Sequence, residues 1–127
     1  MADPNVFDPT RYVTDASQLP TESFDWGTLQ WLTNARLSRG AAMTVGLCTI
    51  HPGCRNTRHY HPNCDEVLHM LSGCGTHSFE DGEVELRPGM TIRIPVGVTH
   101  NMTNTGAEPI VCVISFNSGN RETVFLE

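Results

Sequence analysis

Residues 58 to 71 read RHYHPNCDEVLHML and carry three histidines and a glutamate within a short span. His59 and His61 are separated by one residue, Glu66 follows five residues later, and His69 comes three residues after that. Neutral imidazole nitrogens and carboxylate oxygens are ligands that divalent transition metals take. The segment therefore predicts a metal site, with an ordinary polar surface as the alternative.

Strand geometry decides which of these side chains can meet. Successive side chains of a β-strand point to opposite faces, so His59 and His61 share one face. The turn-like PNCD segment is expected to return the next strand antiparallel, which would bring Glu66 close to the histidine pair. On that strand His69 has the opposite parity to Glu66. The candidate metal set is therefore His59, His61 and Glu66, with His69 directed away from it.

Other polar residues are weaker candidates for the same site. Tyr60 is expected to point away from the metal, and His51 precedes a Pro-Gly turn and is interpreted as exposed loop. His77 can face either side of its strand, and Cys64 lies between the candidate ligands without a clear role. From these residues alone, His100 cannot be preferred over His51 or His77 as a further ligand.

The elements that must position these residues are short. From Met43 onward, runs of β-branched and apolar residues alternate with segments rich in Gly, Pro, Asn and Asp, which is typical of an all-β sandwich or barrel. No segment has the 3.6-residue period of a helix. The candidate strands are residues 43–50, 58–61, 66–71, 76–80, 83–86, 91–95, 99–102 and 109–116.

Two further local predictions follow from turn chemistry and composition. The EDGE segment at residues 80–83 predicts a two-residue hairpin turn, since Asp-Gly suits a type I′ turn. The first 40 residues contain several prolines and capping residues, and a short run around Trp26, Leu29 and Trp31 could add a strand. Such an arm often packs on a partner subunit and covers a sheet edge there.

Length and charge limit the function classes. A chain of 127 residues with 39% hydrophobic residues is long enough for one globular domain. Fourteen acidic and eight basic side chains give a formal charge of −6, which disfavours binding to nucleic acid or to an anionic membrane. No apolar run reaches the roughly 18 residues of a membrane span. No signal peptide is visible, so a cytoplasmic location is expected.

The five cysteines are odd in number and include no CxxC pair. Because the cytosol keeps thiols reduced, free thiols are expected at all of them. Cys48 and Cys112 lie in apolar stretches and are interpreted as small core residues. Met43, Met70, Met102 and Phe116 are likewise interpreted as core residues, which would form an apolar cup around the metal if they face inward.

Two spaced patterns carry a resemblance to a known family. Residues 53–73 fit G-x5-H-x-H-x4-E-x6-G, and residues 89–104 fit G-x5-P-x-G-x2-H-x3-N. In order, content and spacing these patterns resemble the two motifs of the cupin superfamily, in its small single-domain form. The resemblance covers roughly residues 43 to 116. Met90 stands where many cupins have an acidic residue, a departure that affects no ligand.

The resemblance implies a double-stranded β-helix, or jelly-roll barrel, with an N-terminal extension. Together with the composition of the first 40 residues, it leads us to expect an arm at residues 1–40, a barrel at 41–120 and a C-terminal tail at 121–127. Cupins of this kind are commonly homodimers. The implied metal ligands are His59, His61 and Glu66 from the first motif and His100 from the second. The remaining motif positions are expected to shape the barrel: Gly53, Gly73, Gly89 and Gly97 at turns, Pro95 at the end of a strand where no ladder donor is needed, and Asn104 by satisfying a turn.

The resemblance also implies one divalent transition metal ion per chain, and the ligand types do not choose among Fe, Mn, Zn, Ni, Co and Cu. The leading prediction is a metal-dependent enzyme, of dioxygenase or oxidoreductase type, that acts on a small and preferably anionic organic molecule. One alternative is a non-oxidative isomerase, lyase, decarboxylase or polyketide cyclase. Another is a non-catalytic cupin that binds a small ligand.

Overall fold

The structure is a computed structural model that describes residues 6 to 127. Within them the chain forms eleven strands and two short 3-10 helices, and no helix among these residues is long and apolar enough to cross a membrane. The prediction of a nearly all-β chain is confirmed. The 3-10 helices are Pro9–Tyr12 and Ala16–Gln18, and the strands are β1 Glu22–Phe24, β2 Gly27–Thr33, β3 Thr44–Ile50, β4 His59–Tyr60, β5 Glu66–Ser72, β6 Gly75–Phe79, β7 Gly82–Leu86, β8 Thr91–Ile94, β9 His100–Asn104, β10 Ile110–Phe116 and β11 Val124–Phe125.

The strands form two antiparallel sheets in a jelly-roll arrangement. One sheet has the order β1-β2-β3-β10-β5-β8, and the other has the order β11-β4-β9-β6-β7. From β3 to β6 the chain changes sheet at every connection. Residues close in sequence therefore arrive on opposite walls of the barrel, which confirms the predicted fold class.

The predicted strands agree with the observed ones to within two residues at each end. The eight candidate segments correspond to β3 through β10, and the run around Trp26 to Trp31 lies largely in β2. Strands β1 and β11 were not predicted. They contain three and two residues, which is too short for a period of two to be recognised.

The hairpin at residues 80–83 has a different turn from the predicted one. Phe79 pairs with Gly82, so the two turn residues are Glu80 and Asp81, and Glu80 has a left-handed φ of 45°. A turn centred on Asp81 and Gly82 would set Glu80 directly opposite Glu83. Like charges at directly opposed positions are unfavourable, and the observed register avoids them.

The predicted hairpin between the histidine pair and Glu66 is also wrong. Strand β4 pairs with β9 and β11, whereas β5 pairs with β10 and β8 in the other sheet. The PNCD segment therefore carries the chain across the barrel instead of reversing it within one sheet. Glu66 approaches the histidines from the opposite wall.

The core lies between the two sheets, and the alternating burial of residues along β3 and β10 reflects this position. Both strands are rich in β-branched residues and alternate strictly between buried and partly buried positions. Cys48 and Cys112 lie directly opposite each other in this pair and are buried, as predicted. Met70, Met102 and Phe116 are buried too, but Met43 is 49% exposed because it precedes β3 and lies outside the sheet.

The four motif glycines and Asn104 shape turns as predicted. Gly53, Gly73, Gly89 and Gly97 have φ values between 76° and 90°. At Gly73 a Cβ atom would also lie 2.5 Å from the carbonyl oxygen of Pro109, so only glycine fits there. Asn104 is buried, and its side chain bonds the backbone of Ile50, Gly106 and Glu108.

Segments at both ends of the chain join the sheets. Strands β1 and β2 belong to the predicted arm and extend the larger sheet, while β11 belongs to the predicted tail and pairs with β4. The first five residues of the predicted arm lie outside the described residues. The division into arm, barrel and tail stays a prediction.

Candidate metal centre

Four buried side chains converge inside the barrel. They are His59 on β4, His61 immediately after it, Glu66 at the start of β5 and His100 at the start of β9. One potential ligand atom from each residue lies within 4.8 Å of all the others. The structure thus brings together the four residues that the motifs indicated, as a group that could hold one metal ion.

The strand register explains this convergence. His59 and His100 lie directly opposite each other on the antiparallel strands β4 and β9, and their ring centroids are 4.3 Å apart. Glu66 is held in the other sheet, where it pairs with Phe116 and Ile94 on its two neighbouring strands. The site therefore spans the gap between the sheets, and both sheets must be in place for it to form.

A backbone carbonyl orients each of the three imidazoles. The Nδ1 atom of His59 is 2.6 Å from the oxygen of Thr57, and that of His100 is 2.9 Å from the oxygen of Val98. The Nδ1 atom of His61 is 2.9 Å from the oxygen of Glu122. A carbonyl oxygen only accepts, so Nδ1 carries the proton in each ring. This arrangement is usual around metal sites, because it fixes the ring and leaves Nε2 free to coordinate.

The Nε2 atoms face the carboxylate of Glu66. Its Oε1 atom lies 3.0 Å from Nε2 of His100 and 3.2 Å from Nε2 of His61. Since Nδ1 already bears the proton, each close Nε2 contact with an anionic oxygen requires either a second proton or a shared cation. Ligand atoms at right angles around an ion with bonds of about 2.1 Å would be about 3 Å apart. The donor set and its spacing therefore fit a divalent transition metal.

The same burial and proximity set the charge states of these groups in the absence of a metal. Burial alone would raise the pKa of Glu66, but hydrogen bonds from His100 and His61 hold it well below its ordinary value. Burial opposes a charge on His100, yet its contact with Glu66 raises its pKa overall. Burial and the neighbouring His100 lower the pKa of His59 to about 4. The cluster thus keeps an ionised carboxylate at its centre.

The cluster lines a cavity of about 560 Å³, a size suited to a small organic ligand. Met102 and Phe116 contribute to its wall, as expected of an apolar cup, whereas Met70 does not line it. Most of the remaining wall is apolar or aromatic. Its other apolar residues are Phe24, Trp26, Leu29, Trp31, Cys48, Ile50, Leu68, Ile114 and Phe125.

The structure decides the position of the remaining candidates. His77 lines the cavity, stacks on His100 at 5.6 Å between ring centroids, and has no hydrogen-bond partner for its buried Nδ1 atom. Cys64 is buried but lies outside the four-residue group, and His51 is exposed. His69 lies on the other face of β5 and bonds the hydroxyl of Thr91, as its parity predicted.

Sequence reasoning missed the contribution of the chain ends to the cavity. Glu22 and Trp31 from the N-terminal segment line it, together with four residues near the C-terminus. A signal was present, because these four C-terminal residues alternate in sequence as the inward face of an extended segment would. They are Arg121, Thr123, Phe125 and Glu127.

Comparisons with known proteins agree with the fold. A family model described as "Cupin domain" matches residues 46–116. The chain is 34% identical over 62 residues to Protein SchB of Streptomyces halstedii, which covers 49% of this chain and 45% of that protein. It is 32% identical over 126 residues to auxin-binding protein T92 of Nicotiana tabacum, covering 90% of this chain and 67% of that protein.

Among solved structures, oxalate decarboxylase from Bacillus subtilis superposes with a TM-score of 0.80 at 21% identity. The match covers 87% of this chain and 30% of the decarboxylase. At this identity the likeness concerns the fold alone. The chain also spans less than half the length of both SchB and the decarboxylase.

We expect acid to destabilise the metal-free protein as the pH falls from about 6.5 to about 4. An unfolded histidine takes up a proton near pH 6.5, whereas burial and the neighbouring His100 lower the pKa of His77 to about 4. In that pH range the unfolded state binds more protons than the folded state, so the free energy of unfolding falls by about 3 kcal/mol for one such histidine. Urea denaturation of the wild type and of a His77→Phe variant at several pH values measures how steeply the free energy of unfolding changes with pH. The variant should have a shallower slope, and equal slopes would contradict this prediction.

Proposed function

This chain belongs to the cupin family, and from that premise we propose that it is a metal-dependent enzyme, of dioxygenase or oxidoreductase type, acting on a small organic molecule. The observation that carries this proposal is the buried group of three imidazoles and one carboxylate at the cavity wall. Burying so many convergent ionisable groups costs free energy unless they are paired or coordinate a metal.

We propose that His59, His61, Glu66 and His100 hold one divalent transition metal ion. Nitrogen and oxygen donors serve Fe, Mn, Zn, Ni, Co and Cu, so the donor types do not select the metal. Such an ion would supply Lewis acidity to a bound oxygen atom of the substrate and, if redox-active, a means to use O₂. These four residues would leave room at such an ion for a substrate atom or water.

The protein's own residues have separate tasks in this proposal. The carbonyls of Thr57, Val98 and Glu122 keep the three rings oriented with Nδ1 protonated. The carboxylate of Glu66 offsets part of the metal charge, so that a divalent ion would retain a net charge of about +1 and would favour an anionic substrate. The apolar wall excludes water from the reacting atoms and accepts a hydrophobic part of the substrate.

Metal content tests the ligand assignment. We expect metal bound per chain to fall about tenfold or more in His59→Ala and in His100→Ala, because each substitution removes a ligand from the group. Elemental analysis after purification without added metal, and again after metal loading, gives the content and the identity of the metal.

A His69→Ala variant is the matched control, since that histidine lies on the opposite face of β5. It should bind metal as the wild type does. Undiminished metal content in both ligand variants would remove the basis of the assignment.

Oxygen dependence tests the reaction type. We expect the metal-loaded protein to convert a small organic acid only in the presence of O₂, with isotope from ¹⁸O₂ appearing in the product. Mass spectrometry of a panel of acids, incubated with and without O₂, measures both. Conversion without O₂ would favour the isomerase, lyase, decarboxylase or cyclase class instead, and binding without conversion would favour a non-catalytic cupin. A His100→Ala variant supplies the inactive control.

We also propose that the chain forms a homodimer through its N-terminal arm. Four large apolar residues of the described arm are at least 65% exposed, which is costly for a small protein that stays monomeric. Sedimentation should therefore yield about twice the 14.0 kDa mass of one chain. A species of single-chain mass at every concentration would refute the dimer. The four residues are Val6, Phe7, Tyr12 and Val13.

A further inference from the structure

We propose that Arg121 is the anchor for the carboxylate of the substrate, and that the substrate is a small organic acid with an apolar or aromatic body. This inference rests on the proposed function, because it assigns the substrate class to the same cavity. It adds a residue that neither cupin motif contains. Arg121 lies between β10 and β11, and its side chain contributes to the cavity wall.

The backbone on both sides of Arg121 is held in place by hydrogen bonds to other parts of the chain. Before it, the carbonyl of Ser118 accepts a bond from the Thr44 hydroxyl at 2.7 Å, and the carbonyl of Asn120 accepts one from the Asn63 side chain at 2.8 Å. After it, Glu122 bonds Asn63 through its amide and His61 through its carbonyl. The guanidinium is therefore presented by a fixed segment, which lowers the entropic cost of binding.

Aromatic rings hold the guanidinium itself. Its Cζ atom lies 4.2 Å from the ring centroid of Trp31 and 5.3 Å from that of Phe116. The indole is in turn fixed by a 2.7 Å hydrogen bond from Nε1 to Glu22. Contact with ring faces is favourable for a guanidinium and leaves its N–H groups free, because these point outward in the guanidinium plane.

Most of those N–H groups have no partner among the described residues. A guanidinium has five N–H donors, and Arg121 uses one nitrogen, Nη1, to bond the hydroxyl of Thr123 at 2.6 Å. Within residues 6 to 127, no carboxylate lies within ion-pair distance of it. Two exposed arginines do have such partners: Arg55 pairs with Glu127, and Arg93 pairs with Asp65.

The burial of Arg121 indicates a ligand. A half-buried arginine without a direct carboxylate contact is costly, and burial lowers its pKa even though the more distant carboxylates of Glu66 and Glu22 act in the opposite direction. A planar carboxylate matches the geometry of the guanidinium fork and would satisfy the free donors. The cavity wall, which includes Trp31, Phe116 and Met102, would accept the apolar body of the same molecule. The ring of Phe116, which Arg121 contacts, also lies 4.9 Å from the ring of His61 between centroids. The anchor is therefore close to the four-residue group.

Binding of a matched pair of probes tests this assignment. The probes are phenylacetate and its uncharged counterpart phenylacetamide, and the readout is the fluorescence of Trp26 and Trp31, both of which line the cavity. We expect wild type to bind the acid about tenfold or more tightly than the amide. Arg121→Gln should lose about tenfold or more in affinity for the acid, as expected for a hydrogen-bonded charged group, while its affinity for the amide stays within about twofold.

Two further variants control for fold and charge. Arg121→Lys keeps the charge without the planar fork and should retain part of the preference for the acid. Arg39→Gln removes an exposed arginine that does not line the cavity and should bind both probes as wild type does. Equal loss of both probes in Arg121→Gln would indicate a merely structural role and would overturn the proposal, as would a wild type that does not prefer the acid.

The titrations are repeated on protein as purified and after treatment with EDTA. The effect of Arg121→Gln is expected in both samples, because the anchor acts through its own N–H groups. A protein that binds no metal would refute the proposed enzyme function and still leave this test decisive.

Discussion

The structure depends on keeping one carboxylate ionised in the interior. Glu66 is buried between two sheets, where an unpaired carboxylate would cost several kcal/mol. Imidazoles that meet it from the opposite wall offset this cost, and each of them is oriented by a backbone carbonyl. A small displacement of one sheet relative to the other would separate these groups. The geometry of the site therefore depends directly on the packing of the two sheets.

The connections between strands bring the site residues together from both sheets. Because β3 to β6 change sheet at each step, two histidines and a glutamate that are close in sequence reach the same point from opposite walls. His100 joins them because β9 pairs with β4 in direct register with His59. Asn104, at the end of β9, fixes the adjoining turns through three backbone hydrogen bonds. Turn residues of the motifs thus support the position of the potential ligands.

The ends of the chain complete the cavity. Trp31 comes from the N-terminal segment and Arg121 from the C-terminal one, and the two side chains stack on each other. The carbonyl of Glu122 in the same C-terminal segment orients His61. One short segment therefore contributes both to the charge of the cavity wall and to the geometry of the four-residue group. This C-terminal segment therefore links the orientation of His61 to the charge that a ligand would meet in the cavity.

The sequence by itself determined the elements and most of the group. Alternation of apolar residues and turn chemistry located strands β3 to β10, because period and turn preference are local properties. Strand parity selected His59, His61 and Glu66 and set His69 aside, while His100 required the second motif. Parity says which face a side chain takes, but not which strand will lie opposite.

Only the tertiary structure decided what depends on contacts distant in sequence. It replaced the predicted hairpin at PNCD by a crossing between sheets, and it placed the turn of the EDGE segment one residue earlier than predicted, so that Glu80 does not lie opposite Glu83. It also brought His77 and Arg121 into the cavity wall. The alternation of residues 121 to 127 indicates a shared face for Arg121, but neither it nor the strand of His77 indicates what lies opposite, because a side chain's environment is set by the strands and segments that pack against it.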